Sequence, residues 1–283
     1  MFTDKIIAFI GSGTMGEAMI RGLLSKNLIK PDQIIAADPW QKRLDYLQQR
    51  HGVRTTQNNT EAAEEGQIVI LSIKPQSLPM VMPDIRGHLR RQDLLISIIA
   101  GAPIKKLADG VAHASVVRAM PNTPAQIGQG ITVWTDTPEV SDTHRQQAKA
   151  ILGSFGEEIY VDDERFLDMA TALSGTGPGY VYMVMEAMID AGVHMGFSRH
   201  VARQLVFQTI RGSVEYADRS GKHVAELRNQ VTSPGGTTAE ALYHLEKGGL
   251  RTVISRGIWA AYQRSIALGR GQEHDGPNSG RGQ

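Results

Sequence analysis

The stretch Lys5-Ile6-Ile7-Ala8-Phe9-Ile10-Gly11-Ser12-Gly13-Thr14-Met15-Gly16 decides how the first half of this chain folds. An apolar run ending at Ile10 leads into glycines spaced G-x-G-x-x-G, and a helix-forming segment, Glu17 to Lys26, follows at once. In that order of strand, glycine turn and helix, the motif points to dinucleotide binding. Gly11 permits the tight turn out of the strand. Gly13 lets backbone approach a pyrophosphate, and Gly16 lets the helix pack close to the sheet. Unpaired N–H groups and the positive end of the helix dipole then face the phosphates. A turn with purely structural duties would satisfy the same letters, so the surrounding pattern must decide.

That pattern is an alternation of strand-like and helix-like segments. Gln33 to Ala37 reads as a second strand ending at Asp38, followed by a helix from Gln41 to Arg50. A third strand covers Ile68 to Ile73, with a helix after Pro75; a fourth covers Leu94 to Ile99 and a fifth Ser115 to Ala119. These are continuous apolar runs, as expected for a parallel sheet buried on both faces. Gly130 to Trp134 and Glu157 to Val161 read as two more strands around a helix from Ser141 to Ser154. The prediction is an α/β, Rossmann-type doubly wound parallel sheet over residues 1–162, with ligands beyond the carboxyl ends of the strands. Those tips carry Asp38, Ser72-Ile73-Lys74-Pro75, Ile99-Ala100-Gly101 and Met120-Pro121-Asn122-Thr123-Pro124.

Each tip has a functional reading and a plainer one. Asp38 lies 22 residues after Gly16, near the spacing at which an acid meets the adenosine ribose hydroxyls and repels a 2′-phosphate. Lys42 and Arg43 could instead accommodate that phosphate, or Asp38 could cap a turn while the two bases sit on a solvated helix face. Lys74-Pro75 either brings its loop to the cofactor or merely stops a strand. Met120 to Pro124 either holds a polar group near a nicotinamide or is an ordinary X-Pro turn.

Strand signals cease after Asp162-Asp163-Glu164, and residues 163–268 read as an all-α domain. Helical patterns cover Arg165 to Leu173, Gly179 to Met195, Ser198 to Arg219, Val224 to Gln230, Thr238 to Glu246 and Leu250 to Leu268. The stretch Tyr180-Val181-Tyr182-Met183-Val184-Met185 is apolar nearly all round, so neighbouring helices or a second subunit should bury it. Residues 269–283 lack an apolar pattern and are expected to be a disordered tail. In Val231-Thr232-Ser233-Pro234-Gly235-Gly236-Thr237-Thr238-Ala239-Glu240, Thr237 and Glu240 fit a capping box. Gly235 and Gly236 expose N–H groups at the positive end of the helix that starts there. This nest suits a carboxylate or phosphate, although a simple helix start after a Pro-Gly turn explains the letters equally well. Ser174-Gly175-Thr176-Gly177-Pro178-Gly179-Tyr180 is a second glycine-rich helix entry without a preceding strand; close packing on the cofactor domain explains it better.

Composition removes several classes. Over 283 residues, 30 Lys and Arg balance 29 Asp and Glu, so no global field recruits nucleic acid or an anionic membrane. The absence of cysteine excludes disulfides, thiol catalysis and thiolate metal sites, and no metal is expected. Without a run approaching ~18 apolar residues or a signal-peptide pattern, a cytoplasmic protein is the default expectation.

Taken in order, the motifs resemble those of the pyrroline-5-carboxylate reductases. They are Phe9 to Gly16, Ser72 to Pro75, Arg118-Ala119-Met120-Pro121-Asn122-Thr123-Pro124, Leu173 to Tyr180 and Ser233-Pro234-Gly235-Gly236-Thr237-Thr238. The likeness runs from residue 1 to about 268, and the M-P-N-T-P and S-P-G-G-x-T elements discriminate more sharply than the glycine turn. Gly179 replaces a frequent alanine, and Asp38 is less usual in an often NADPH-using family, which keeps NADH and NADPH both open. The resemblance implies reduction of 1-pyrroline-5-carboxylate to L-proline, the final step of proline biosynthesis. It implies a cofactor site of Ile10, Gly11, Ser12, Gly13, Thr14, Met15, Gly16, Asp38, Asn59, Ser72, Ile73, Lys74, Pro75, Ala100, Met120, Pro121 and Asn122. It places the substrate carboxylate at Ser233, Gly235, Gly236 and Thr237, and it makes Thr238 the group that orients or protonates the ring nitrogen. Glu164 falls at a substrate-side acid of the family, or caps the helix that follows it. The family's helical domain forms an intertwined homodimer, dimers assemble into higher homo-oligomers such as a decamer, and the active site there lies between the cofactor domain and the helical domain bearing Thr238.

Two other classes compete. A β-hydroxyacid dehydrogenase would need a catalytic lysine on a second-domain helix, but that half holds only Lys222 and Lys247, neither in an apolar helix interior. A non-catalytic dinucleotide sensor would have no use for the Gly235 to Thr238 loop.

Overall fold

In the computed structural model, which describes residues 1–271, eight strands form one sheet. They are β1 (Ile7–Ile10), β2 (Ile34–Ala37), β3 (Arg54–Thr56), β4 (Ile68–Leu71), β5 (Leu94–Ser97), β6 (Val116–Met120), β7 (Gly130–Asp136) and β8 (Gly156–Tyr160). Their order is β3-β2-β1-β4-β5-β6-β7-β8. Neighbours from β3 to β6 run parallel, β7 runs antiparallel to β6, and β8 parallel to β7. The first six strands therefore follow the doubly wound order, with the topological switch between β1 and β4. Between strands lie α1 (Thr14–Ser25), α2 (Gln41–His51), α3 (Asn59–Glu65), α4 (Leu78–Ile85), α5 (Ile104–Val111) and α6 (Asp142–Leu152).

Strand side chains alternate between two cores, as the two-residue period of a pleated strand requires. Ile7 and Phe9 of β1, with Ile68 and Ile70 of β4, meet Met19, Ile20 and Leu23 of α1 and Ile151 and Leu152 of α6. Ala8 and Ile10, with Val69 and Leu71, meet Ala62 and Ala63 of α3, Ile85 of α4 and Leu107 of α5. Because both faces are covered, every residue of β1, β2, β4 and β5 is buried.

Besides the antiparallel β7 and the earlier start of α1, at Thr14 in place of Glu17, three details differ from expectation. The strand β3 has no apolar run: Arg54-Thr55-Thr56 is half exposed at the sheet edge and pairs with Ile35, Ala36 and Ala37 of β2. The strands β4 and β5 end at Leu71 and Ser97, short of the expected Ile73 and Ile99, although Ser72 N still donates to Ile10 O at 2.9 Å and Ile98 N to Leu71 O at 3.1 Å. The helix expected over Arg165 to Leu173 is α7 (Arg165–Ala170) followed by a π-turn, Thr171–Gly175, where Ser174 and Thr176 hydroxyls bond back to Ala170 O and Thr171 O.

The chain divides into two compact units: residues 1–176 together with the chain from Ala261, and Gly177–Ala260. The second contains α8 (Gly177–His194), α9 (Arg199–Ser220), α10 (Val224–Gln230), α11 (Thr237–Lys247) and the start of α12 (Leu250–Gly269). Ser198 caps α9 by accepting from Val201 N at 3.3 Å. Of residues 177–260, all described, only Gly192, Ala202 and Val206 are buried. Met183 is 69 % exposed and Tyr182 57 %, so within one chain the apolar face of α8 is uncovered. The tail expected from residue 269 lies, from residue 272 onward, outside the described residues.

Candidate dinucleotide and anion sites

Gly11 leaves β1 with φ +84°, and its N–H donates to Ala37 O at 2.9 Å. A Cβ there would stand 2.4 Å from Ile73 Cγ2, so the turn admits only glycine. Gly16 lies against the same turn: a Cβ would meet Gly11 O at 2.9 Å and Ser72 Oγ at 3.1 Å. Ser72 Oγ in turn donates to Gly11 O at 2.5 Å. At Gly13 a Cβ would meet no protein atom within 4 Å, and Gly13 is the cap residue of α1, with no side chain to offer the first-turn amides. Backbone N–H groups thus open outward where a phosphate could approach, which fits a dinucleotide pyrophosphate.

Ser12 is fully buried; its hydroxyl donates to Ala37 O at 3.1 Å and its N–H to Asp38 Oδ2 at 3.1 Å. Asp38 Oδ1 accepts from Trp40 N at 3.1 Å. Asp38 therefore does close a turn with Pro39, while its carboxylate stays at the tip of β2. Arg43 is not on a solvated face. Its Nε donates to Ser12 O at 2.7 Å, and its Nη2 to Gly13 O at 3.1 Å and Glu17 Oε2 at 2.7 Å. Burial works against ionisation of Glu17, but hydrogen bonds from Arg43, His51 and Tyr46 and the Arg43 charge outweigh it and hold the carboxyl below its ordinary range.

The other tips mix internal duties with availability. Lys74 is exposed and precedes the short turn Pro75–Ser77, and half-buried Ala100 precedes Gly101 at φ +66°. Pro75 and Ala100 share a cavity of about 570 Å³ with Lys106 and Leu268. A larger cavity, about 1120 Å³, lies at the opposite, amino-terminal edge of the strands around Phe2, Lys5 and Pro31, away from every predicted residue. Pro121 is buried and Met120 half-buried, with Met120 Cε filling the place a side chain on Gly175 would take. Asn122 serves the fold: its amide donates to Ser174 O at 3.2 Å and its oxygen accepts from Ile131 N at 3.0 Å. Asn59 opens α3 and donates to Asp84 Oδ2 at 3.0 Å, while Asn58 caps the helix.

Glu164 carries an unanticipated set of partners. Its Oε1 accepts from Arg118 Nη1 at 2.7 Å and from Ile104 N, the first amide of α5, at 2.7 Å. Its side chain makes no capping bond to α7, which removes the plainer expectation. Arg118 is 4 % exposed in the middle of β6 and also reaches Asp168 Oδ1 at 3.3 Å, which accepts from Ser265 Oγ at 2.7 Å. An arginine inside the apolar run Ser115 to Ala119 was the available signal, since a buried guanidinium demands acceptors.

In the second unit, Gly235 has φ +69° and Gly236 is the cap residue of α11. The expected capping box is absent: Thr237 is already the first helical residue and makes no side-chain cap. The helix begins one residue earlier than the letters suggest, which moves Glu240 beyond the third helical position; it lies 3.3 Å from His244. A Cβ on Gly236 would collide with Ser233 Oγ at 2.4 Å, and Gly236 N donates to Ser233 O at 3.0 Å. The first-turn amides of an eleven-residue helix, with Thr237 and half-buried Thr238 beside them, are a candidate anion nest.

Comparison with known proteins gives these features a lineage. Residues 164–268 match the family described as pyrroline-5-carboxylate reductase dimerisation, and residues 6–101 that described as NADP oxidoreductase, coenzyme F420-dependent. The chain is 38 % identical to the pyrroline-5-carboxylate reductase of Synechocystis sp. over 93 % of its own length and 98 % of that protein. The chain belongs to the pyrroline-5-carboxylate reductase family. The reductase of Pseudomonas aeruginosa is 36 % identical over 93 % of this chain and 96 % of its own. The crystal structure of Plasmodium falciparum pyrroline carboxylate reductase with NADP bound superposes with a TM-score of 0.87 at 34 % identity, covering 95 % of this chain and 100 % of that one. The uncovered apolar face of α8 falls inside the segment that matches the family's dimerisation model, and the match supports a homo-oligomer.

Proposed function

We propose that this protein reduces 1-pyrroline-5-carboxylate to L-proline with NADPH or NADH, the last step of proline biosynthesis. The reading is carried by one observation: the chain matches a named reductase over 93 % of its length while retaining both the open glycine turn and the candidate anion nest. A bound reduced nicotinamide supplies the hydride. The turn from Ile10 to Gly16 would hold the pyrophosphate through its amides, and Asp38 and Asn59 would serve the adenosine end. Ser72, Ile73, Lys74, Pro75, Ala100, Met120, Pro121 and Asn122 shape the crevice beyond β4, β5 and β6.

Ser233, Gly235, Gly236 and Thr237 take the substrate carboxylate, whose charge complements the positive end of α11. That anchoring fixes C5 of the ring for attack. As the C–H bond forms at C5, the C=N electron pair moves onto nitrogen, which keeps or gains its proton. Thr238 orients that nitrogen and passes the proton from water, because a hydroxyl is too weak an acid to act alone. Glu164, held by Arg118 through its Oε1, would steady the protonated imine electrostatically. The assembly extends beyond a dimer, such as a decamer, in the cytoplasm.

Thr238→Ala tests the assignment. Oxidation of NAD(P)H with 1-pyrroline-5-carboxylate should lose roughly 10²-fold or more in kcat, the range for a positioned proton-transfer group, with dinucleotide affinity unchanged. Wild-type turnover in that variant would remove Thr238 from the mechanism. Absence of turnover by the wild-type protein with either cofactor would end the proposal.

A further inference from the structure

We infer that Asp38 makes this protein discriminate between the two nicotinamide dinucleotides, favouring the one with a free adenosine 2′-hydroxyl, NADH, over the 2′-phosphorylated one. The inference rests on the dinucleotide reading proposed above. Two backbone N–H groups converge at the tip of β2, those of Ser12 and Trp40. Converging amides at a turn are natural partners for a phosphate. Here they are already taken, each donating at 3.1 Å to a different oxygen of Asp38. The carboxylate occupies the donors a 2′-phosphate would use, and it places a fixed negative charge where a doubly charged group would have to come.

A cation could still compensate, and Arg43 is the one held closest to the turn. Its guanidinium is committed to Ser12 O, Gly13 O and Glu17 Oε2, and Glu17 neutralises its charge. Pulling Arg43 away to grip a phosphate would leave two turn carbonyls without it and Glu17 without its partner. Lys42 is exposed on a long stem, and a solvated ammonium gains little from a single ion pair. Asp38, by contrast, keeps acceptor capacity for ribose, since a carboxylate offers about four acceptor positions and two are filled. The 2′- and 3′-hydroxyls can donate to the remainder.

Calorimetric titration of the unmodified protein with NADH and NADPH, without substrate, tests this directly. The expected result is a Kd for NADH lower by roughly tenfold or more, the scale of one repulsive contact at a half-buried site. Asp38→Ser should reverse the order by freeing Ser12 N–H and Trp40 N–H. Asp38→Asn, which keeps one of the two acceptor oxygens and loses one turn hydrogen bond, should narrow the ratio while the protein stays folded, as thermal unfolding will show. Equal or tighter binding of NADPH to the wild type overturns the inference while leaving the reductase reading intact, as does an unchanged ratio in Asp38→Asn. Failure of the wild type to bind either dinucleotide overturns the reading beneath it as well.

Discussion

Replacing Gly13 and Gly16 separately by alanine splits the two jobs that the glycine turn performs. At Gly16 the new methyl would lie 2.9 Å from Gly11 O and 3.1 Å from Ser72 Oγ. Gly11 O is backbone and is already held by Ser72, so α1 itself must move off the sheet. Overpacking of this kind costs about 1–3 kcal/mol. For a unit of this size that lowers the melting temperature by roughly 3–10 °C. At Gly13 nothing lies within 4 Å of the added methyl, and φ −67° with ψ −160° is open to alanine. Loss of glycine as a helix cap costs about 0.5–1 kcal/mol, and the reduced freedom of the unfolded chain returns about 0.4–1 kcal/mol. The fold should scarcely notice. Dinucleotide affinity should fall roughly tenfold or more, because the methyl stands where the pyrophosphate approaches. Thermal unfolding and calorimetric binding, run on both variants, separate the outcomes. If Gly13→Ala melts as early as Gly16→Ala yet binds dinucleotide normally, the turn is structural and the phosphate assignment is wrong.

Arg118→Met should destabilise the first unit by about 1–3 kcal/mol in urea unfolding, below the 3–5 kcal/mol of a fully buried pair because the carboxylates of Glu164 and Asp168 are 34 % and 23 % exposed; an unchanged midpoint would show that the network carries nothing. His144 has its pKa lowered by burial first, then by the charges of Lys5 and His113, with Asp93 opposing. Its neutral form is thus the one that the fold favours. Stability from this group is complete above its ordinary value of 6.5 and is lost as pH falls through that value toward the lowered folded one. His144→Gln should flatten the difference in melting temperature between pH 7.5 and 5.5, and an unaltered slope would exclude the group.

The sheet was legible wherever burial imposes an apolar run. The strands β1, β2, β4 and β5 declare themselves because both faces are covered, whereas Arg54-Thr55-Thr56 is half exposed and its pairing leaves no pattern in side chains. Helix limits followed from local chemistry at Ser141, Gly153 and Ser198, where caps and stops act over a few residues. The misjudged start at Thr237 came from crediting a hydroxyl with a duty that backbone geometry at Gly236 had already settled, and α1 and α8 likewise begin earlier than expected, at Thr14 and Gly177. Polar roles were the hardest to read. Whether Asn122 faces a ligand or Ser174 O, and whether Arg43 is solvated or bound to Gly13 O, depends on which distant segment lies opposite. Long-range pairing of that kind has no signature within a single stretch. A charged residue within an apolar strand, as at Arg118, is the exception that announces a partner.

With only Gly192, Ala202 and Val206 sealed from water among residues 177–260, that helical unit has almost no interior of its own. Folding and association with a second copy are therefore expected to be coupled for this unit, because a solitary copy buries almost nothing. Its melting temperature should climb with protein concentration. A subunit made in excess, or diluted below its assembly constant, would lose its helices to proteolysis before the nucleotide-fold half is touched.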